Sequence, residues 1–177
     1  MKNTLCWFFM AVSLVHLIPL VGSGVEVGNT FVDFNLEDPH GKKYSSSYLK
    51  DKITLVVLQS KTTLQDAING KTELKKVIQD NPLTQIISIM DLRKRPALIP
   101  RGVLKSKISA QDPTSKEIPF LLDWDGAVTK ALGGLDNKCK ILIVDQALKI
   151  VYHQAYHKPL IDNEIKSLIT GLSGEQK

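Results

Sequence analysis

One cysteine supplies the only thiol beyond the N-terminal segment of this chain. Cys139 lies between Lys138 and Lys140, whose ammonium groups would lower the pKa of the thiol if they lie close to it. Such a thiol could act as a one-cysteine redox centre, form a mixed disulfide or bridge two chains. The alternative is a small, buried residue at the start of a strand, where free cysteine is common. Because Cys6 is the only other cysteine and lies in the N-terminal apolar segment, a dithiol–disulfide mechanism is excluded for the monomer.

Two histidines four positions apart form a weaker candidate site. On a helix, the spacing of His153 and His157 could hold a zinc ion. This segment is instead predicted to be a strand that runs into a loop. No third ligand is evident, although His40 could approach in space. The sequence therefore gives little support for a metal site and predicts no cofactor.

A third candidate site is the basic segment of residues 91–116. Six of its basic residues are the candidates: Arg93, Lys94, Arg95, Arg101, Lys105 and Lys107. They could contact an acidic protein, a lipid headgroup or another anionic component, because loops on a rigid scaffold often carry function. The alternative is a solvated, mobile loop. The segment lacks aromatic residues that would stack on bases, which argues against nucleic acid, and the formal net charge of +5 identifies no partner by itself.

The first 24 residues are predicted to be a targeting segment. Lys2 precedes an uncharged, mostly apolar run at 5–21, and Gly22, Ser23 and Gly24 follow it, as expected for a signal peptide with a cleavage site. An uncleaved membrane anchor is the alternative, since the run is almost long enough to span a bilayer. Residues 25–177 then form one domain outside the cytoplasm, either periplasmic or extracellular, with no further run of that length.

The pattern of apolar residues predicts the elements that must position these groups. Runs at 53–58, 85–90 and 141–144 are typical of buried strands, and alternation at 27–34 indicates another strand. Amphipathic helices are predicted at 63–79 and from Pro159 onward, with shorter helices at 103–108 and 125–132. A strand at 150–156 would pair with 141–144 as a hairpin. The order β, βαβ, insert, ββα predicts a mixed α/β sandwich.

Several segments resemble one family in the same order along the chain. Residues 28–36 (GNTFVDFNL) are similar to the opening "G-x-x-x-P-D-F-x-L", with Val32 where proline is usual. Residues 119–133 (PFLLDWDGAVTKALG) resemble "P-x-L-x-D-x-D-G-x-V-x-x-A-L-G", and residues 141–145 (ILIVD) resemble the strand "T-F-L-I-D". The chain thus resembles the thioredoxin-like superfamily, most closely its peroxiredoxin and secreted-redoxin branch. The resemblance implies a thioredoxin-like sandwich, a central mixed β-sheet flanked by helices, with the basic insert after the second core strand.

The same resemblance exposes a missing redox site. It places Thr63 and Asp66 at the positions of a Cys-x-x-Cys pair and Cys139 where a cis-proline is usual. Neither Thr63 nor Asp66 can form the thiolate that attacks a peroxide or a disulfide. They could form a polar site that meets a partner, or they could simply cap the first helix, with the hydroxyl of Thr62 or Thr63 accepting a backbone N–H. Cysteine-free periplasmic proteins of the YtfJ type look most similar.

The sequence therefore predicts a protein that binds rather than one that catalyses. It lacks the Cys-x-x-Cys pair and the peroxidatic cysteine, and we expect it to be redox-inactive and to bind a protein or an anionic component of the cell envelope. The alternative is an atypical one-cysteine redoxin, a peroxiredoxin-like antioxidant or thiol oxidoreductase, that uses Cys139. The sequence leaves the oligomeric state open.

Overall fold

A computed structural model of the protein describes residues 25–78, 81–157 and 162–174. The predicted targeting segment, residues 1–24, lies outside these ranges. The described residues form seven strands and four α-helices, in this order: β1 (Asn35–Glu37), β2 (Lys43–Ser45), β3 (Ile53–Ser60), α1 (Leu64–Ile78), β4 (Thr84–Asp91), α2 (Arg101–Gln111), β5 (Phe120–Asp123), α3 (Ala127–Ala131), β6 (Lys140–Val144), β7 (Ile150–Ala155) and α4 (Asp162–Gly174). Short 3₁₀ helices lie at Ser46–Leu49, Lys61–Thr63 and Pro113–Lys116. Within these ranges, no helix has the length and apolar character needed to cross a bilayer.

The strands form one mixed sheet in the order β2-β1-β5-β4-β3-β6-β7. The three central strands β5, β4 and β3 are parallel, and the outer strands pair antiparallel. β3 is buried along nearly its whole length, as its continuous apolar sequence predicts. Because α1 connects the parallel strands β3 and β4, the ends of these strands and the start of α1 lie at one edge of the sheet.

The two faces of the sheet have separate cores. Ile53, Leu55 and Val57 of β3 pack with residues of α1 and α4. The alternate residues, Val56 and Leu58, pack with Phe31, Phe34 and residues of α3 on the opposite face. This alternation is the period of two that an extended strand imposes. The predicted central mixed sheet flanked by helices is confirmed.

Two elements differ from the sequence-based expectation. The strand predicted at 27–34 is wrong, because the structure has only a single bridge there, between Thr30 and Lys149, and β1 begins at Asn35. Phe31 and Phe34 are both buried, with their rings edge to face at 6.2 Å, and a strand cannot bury residues three apart on one face. The basic insert is also more ordered than expected, since α2 runs from Arg101 to Gln111.

Candidate functional site

The start of α1 lies at the carboxyl end of β3, where the sequence placed Thr63 and Asp66. Thr63 is 2 % exposed, and its Oγ1 accepts the backbone N–H of Ser60 at 2.9 Å. Thr63 and Ser60 thereby form a reciprocal capping arrangement around the 3₁₀ turn. Asp66 lies exposed in the first turn of α1, where a carboxylate interacts favourably with the helix dipole. Both residues have the structural role that the sequence offered as one of two alternatives.

Cys139 is buried immediately before β6. Its side chain is 1 % exposed and packs in the core that α1 and α4 cover. Burial raises the pKa of the thiol to about 12, and the nearby charge of Asp66 acts in the same direction. The thiolate, which is the reactive species, is therefore scarce at neutral pH.

The two lysines that flank Cys139 do not activate it. Lys140 points its ammonium group to the carbonyl of Gly133, at 3.0 Å, and to the carboxylate of Asp136, at 3.7 Å. Lys138 is exposed. Alternation along β6 places the Lys140 side chain on the opposite face of the sheet from Cys139. The condition for a lowered thiol pKa, an ammonium group of Lys138 or Lys140 close to Cys139, is therefore not met by Lys140.

A buried glutamine lies next to Cys139 on the neighbouring strand. The antiparallel ladder of β3 and β6 pairs Leu58 with Lys140, so one step further the register places Gln59 beside Cys139 on the same face. Gln59 is fully buried, and neither its amide nitrogen nor its amide oxygen has a hydrogen-bond partner among the described residues. A buried amide without a hydrogen-bond partner lowers the free energy of unfolding by about 1–3 kcal/mol. Gln59 is therefore expected to destabilise the fold.

A fully buried ion pair connects α1 to the insert. The Lys71 ammonium contacts the Asp112 carboxylate, and both side chains are 0 % exposed. The other oxygen of Asp112 accepts the backbone N–H of Thr114 at 3.0 Å and its hydroxyl at 2.6 Å. The Lys71 ammonium also lies 5.2 Å from the centre of the Phe120 ring. Desolvation lowers the pKa of Lys71, and the hydrogen bond to Asp112 opposes that change.

Two of the six basic residues proposed for binding are held by carboxylates. Arg93 donates from Nε and Nη2 to Asp91 at 2.6–3.1 Å. Lys105 contacts Glu37 at 2.8 Å. The hydrogen bond from Lys105 lowers the pKa of Glu37, so this carboxylate stays ionised beside α2. Arg93 and Lys105 therefore contribute little free charge to the surface.

Two further basic residues stack on one indole ring. The guanidinium carbon of Arg95 lies 5.4 Å from the Trp124 ring centre, and that of Arg101 lies 4.8 Å from it. Trp124 donates its Nε1–H to Glu37 at 3.1 Å, and its carbonyl accepts from Arg95 at 2.8 Å. These contacts orient both guanidinium groups. Arg95 uses its Nη1 for the carbonyl of Trp124, and the remaining N–H groups of both arginines stay available to an anion. Lys94 and Lys107 are exposed.

The histidine pair has no geometry of a metal site. His153 lies on β7 and His157 follows it, and both side chains are exposed. In the described part of the chain, no group of three or more histidine, cysteine or acidic residues comes together as a set of metal ligands. His153 instead lines a shallow groove of about 190 Å³ with Val25, Gly133 and Lys140. A second groove, of about 220 Å³, lies between the turn at 38–40 and residues 115–120, and neither groove includes Cys139.

Comparison with known proteins identifies the fold. No protein-family model matches the chain, and no curated protein does. Among solved structures, a Chlorobium tepidum protein provisionally assigned as the thiol:disulfide interchange protein DsbE superposes with a TM-score of 0.67 at 14% identity, covering 85% of this chain and 99% of that one. The exposed lipoprotein thioredoxin Etrx1 of Streptococcus pneumoniae gives 0.61 at 15% identity, with coverage of 80% and 100%. Thiol peroxidase of Chromobacterium violaceum gives 0.62 at 16% identity, with coverage of 88% and 91%.

The chain has a thioredoxin-like fold. At these identities the likeness shows the fold alone, so the chemistry must be inferred from this chain's own residues. The closer resemblance to the YtfJ type remains a prediction. In this thioredoxin-like protein, Gln59 and the buried thiol of Cys139 lie where the carboxyl end of β3 meets the start of β6. Thr63 caps the turn that leads into α1.

Sequence reasoning missed three structural features of this chain, at Gln59, Lys71 and Trp124. Gln59 directly follows the apolar run at 53–58, and Lys71 lies within the helix predicted at 63–79; neither was among the candidate residues. Trp124 lies in the segment 119–133 used for the family resemblance, and nothing in the sequence connected it with the insert. A signal existed only for Trp124, because the sequence shows one indole and several arginines in a compact domain but does not show that they meet.

Proposed function

We propose that residues 25–177 form an exported protein that acts by binding and carries out no thiol redox chemistry. Its partner is a protein or an anionic component of the cell envelope, contacted through the basic insert. The observation that carries this proposal is the state of Cys139, the only cysteine in these residues. A thiol that is 1 % exposed and has a pKa of about 12 is neither accessible to a substrate nor ionised at neutral pH.

The insert supports the binding part of the proposal. Its two ends are fixed, at Trp124 and Glu37 on one side and at Lys71 on the other. Binding by an already ordered surface avoids much of the entropy cost of ordering a loop. The alternative of a one-cysteine redoxin requires Cys139 to reach a peroxide or a disulfide, and the packing of α1 and α4 over this residue argues against it.

Thiol reactivity tests the redox part. A Cys6→Ser variant of the full chain is treated at pH 7.4 with a thiol-specific chromogenic probe and, separately, with hydrogen peroxide. Cys6→Ser/Cys139→Ser is the control. We expect labelling only after denaturation and no Cys139-dependent peroxide consumption. Rapid labelling of the native protein would make the one-cysteine redoxin the better reading.

Binding of simple anionic probes tests the other part. Fluorescent polyglutamate and vesicles with anionic lipid are titrated with the wild-type chain and with Arg95→Gln/Arg101→Gln. The proposal expects at least one probe to bind with a dependence on these arginines. If neither probe shows that dependence, the insert is not the binding surface.

A further inference from the structure

The segment between the two stacked arginines forms a small protruding turn. The backbone N–H of Ile99 donates to the carbonyl of Pro96 at 3.3 Å, which closes a turn with Ala97 and Leu98 at its tip. Leu98 is 97 % exposed. Pro96 and Pro100 bracket the turn and restrict its backbone. An apolar side chain is therefore presented to solvent on a stiff support.

The described residues offset the charge of the arginines on either side of this turn only in part, since the charge of Arg101 contributes to lowering the pKa of Glu37. Arg95 and Arg101 each stand three residues from Leu98, so their Cα atoms lie within about 11 Å of its Cα. Glu37, the nearby carboxylate, is already engaged by Lys105 and by the indole of Trp124. Neither arginine forms an ion pair within the described ranges.

We propose that the turn of residues 95–101 docks on a membrane surface rich in anionic phospholipid, with Leu98 entering the headgroup layer and Arg95 and Arg101 binding phosphates. This inference rests on the proposed function and names its partner. Guanidinium groups match phosphate geometry by donating two parallel hydrogen bonds. Exposed Lys94 and Lys107 add positive charge nearby.

The shape of the surface favours a lipid layer over an acidic protein. A protein partner would need a pocket shaped for the protruding Leu98, whereas a lipid interface accepts a single apolar side chain anywhere on its surface. Apolar insertion beside basic residues is the combination that binds peripheral proteins reversibly to anionic membranes.

The expected strength of this contact is modest. Each basic residue near an anionic surface strengthens partition about five-fold, so loss of both arginines should weaken it about 25-fold. Loss of one partly inserted leucine should weaken it about five-fold. The contact is thus a reversible attachment.

Vesicle sedimentation with the full chain tests the proposal. Vesicles of neutral phosphatidylcholine are compared with vesicles that contain 30 mol% phosphatidylglycerol, and the binding difference between them is measured. This difference cancels the apolar contribution of the N-terminal segment, and the charge of Lys2 in that segment is common to every variant compared. The variants are Arg95→Gln/Arg101→Gln and Leu98→Ser. The charge-matched control is Lys50→Gln/Lys166→Gln, because both lysines are exposed and lie outside the insert.

We expect binding to the anionic vesicles to weaken about 25-fold in the arginine variant and about five-fold in Leu98→Ser. The control should weaken binding clearly less than the arginine variant does. Because Leu98 makes almost no contact with the core, its variant stays informative even if the arginine variant folds poorly. Equal losses in the control and the arginine variant would overturn the proposal. So would unchanged binding of Leu98→Ser, or full displacement by millimolar inorganic phosphate, which would indicate a site for free phosphate. Arginine-dependent binding of polyglutamate without vesicle binding would overturn the lipid assignment and leave the proposed function standing with an acidic protein as partner.

Discussion

The ammonium group of Lys71 and the carboxylate of Asp112 form an ion pair in which both side chains are completely buried. The two residues are 41 positions apart, and their contact holds the end of the insert against α1. Removing either partner leaves a buried charge without compensation, which is more damaging than never having had the pair.

The first prediction concerns this pair. Lys71→Met and Asp112→Asn should each lower the free energy of unfolding by about 3–5 kcal/mol, and the double variant should lose much less than the sum of the two. Denaturant unfolding measures all three. Lys75→Met is the matched control, because Lys75 pairs with Glu117 at the surface, with exposed side chains, and should cost less than about 1 kcal/mol. Similar losses for Lys71→Met and Lys75→Met would contradict the burial of the first pair.

The second prediction concerns alkaline stability in a Cys6→Ser background. The pKa of Cys139 is about 12 in the folded protein and 9.0 ordinarily, so the unfolded chain loses this proton first. The stabilising contribution is complete below about pH 9 and is lost as the pH rises toward 12, with a slope near 1.4 kcal/mol per pH unit inside that window. Cys139→Ser should lack this component.

Urea unfolding between pH 8 and pH 10 measures the difference between the two proteins. The comparison cancels the titration of shared groups that do not interact with Cys139; the charges of Lys71 and Tyr156 do interact with the thiol. A constant stability difference over this range would show that the thiol ionises as easily in the folded protein as in the unfolded one.

The third prediction concerns Gln59. Because its buried amide has no partner among the described residues, Gln59→Met should leave stability unchanged or raise it by about 1–3 kcal/mol. Methionine has a similar length and fills irregular space well. Val57→Ala, two positions earlier on the same face of β3, should destabilise by at least 1 kcal/mol and serves as the contrast. Thermal unfolding distinguishes the two, and a clear loss for Gln59→Met would mean that the amide makes a stabilising contact.

The fourth prediction concerns the indole ring of Trp124. Trp124→Leu removes the surface on which Arg95 and Arg101 stack and the N–H that Glu37 accepts. The free energy of unfolding should fall by about 2 kcal/mol, and amide hydrogen exchange should accelerate in α2. Tyr48→Leu, which removes an aromatic contact with Tyr44 on another part of the surface, should leave exchange in α2 unchanged. Equal exchange in both variants would show that α2 is held without Trp124.

The main strands and the first helix could be predicted from the sequence, but the side-chain contacts that hold the insert could not. β3, β4 and β6 were predicted because buried strands leave continuous apolar runs, and α1 because its apolar residues recur with helical period. The pairing of Lys71 with Asp112 was not predictable, since a lysine on a helix is ordinarily solvated and its partner is distant in the chain. Arg95 and Trp124 are likewise 29 positions apart, so only tertiary packing brings them together.

The burial of Cys139 illustrates a different limit. The sequence allowed either an activated thiol between two lysines or an inert residue at a strand start. Sequence neighbours on a strand point to opposite faces, so adjacency in the sequence does not show that a lysine ammonium group lies near the thiol. Which face each side chain occupies depends on the register of β6 against β3, and that register places Lys140 away from the thiol.

In the insert, the residues that contribute to stability differ from the residues that are exposed for binding. Lys71 and Asp112 secure one end and Trp124 with Glu37 secures the other, whereas Ala97 and Leu98 are exposed at the tip. Substitutions at these two tip positions therefore carry almost no penalty in stability, so selection acts on them through binding alone. The insert therefore presents a tip at which new binding preferences can evolve without a change in the rest of the protein.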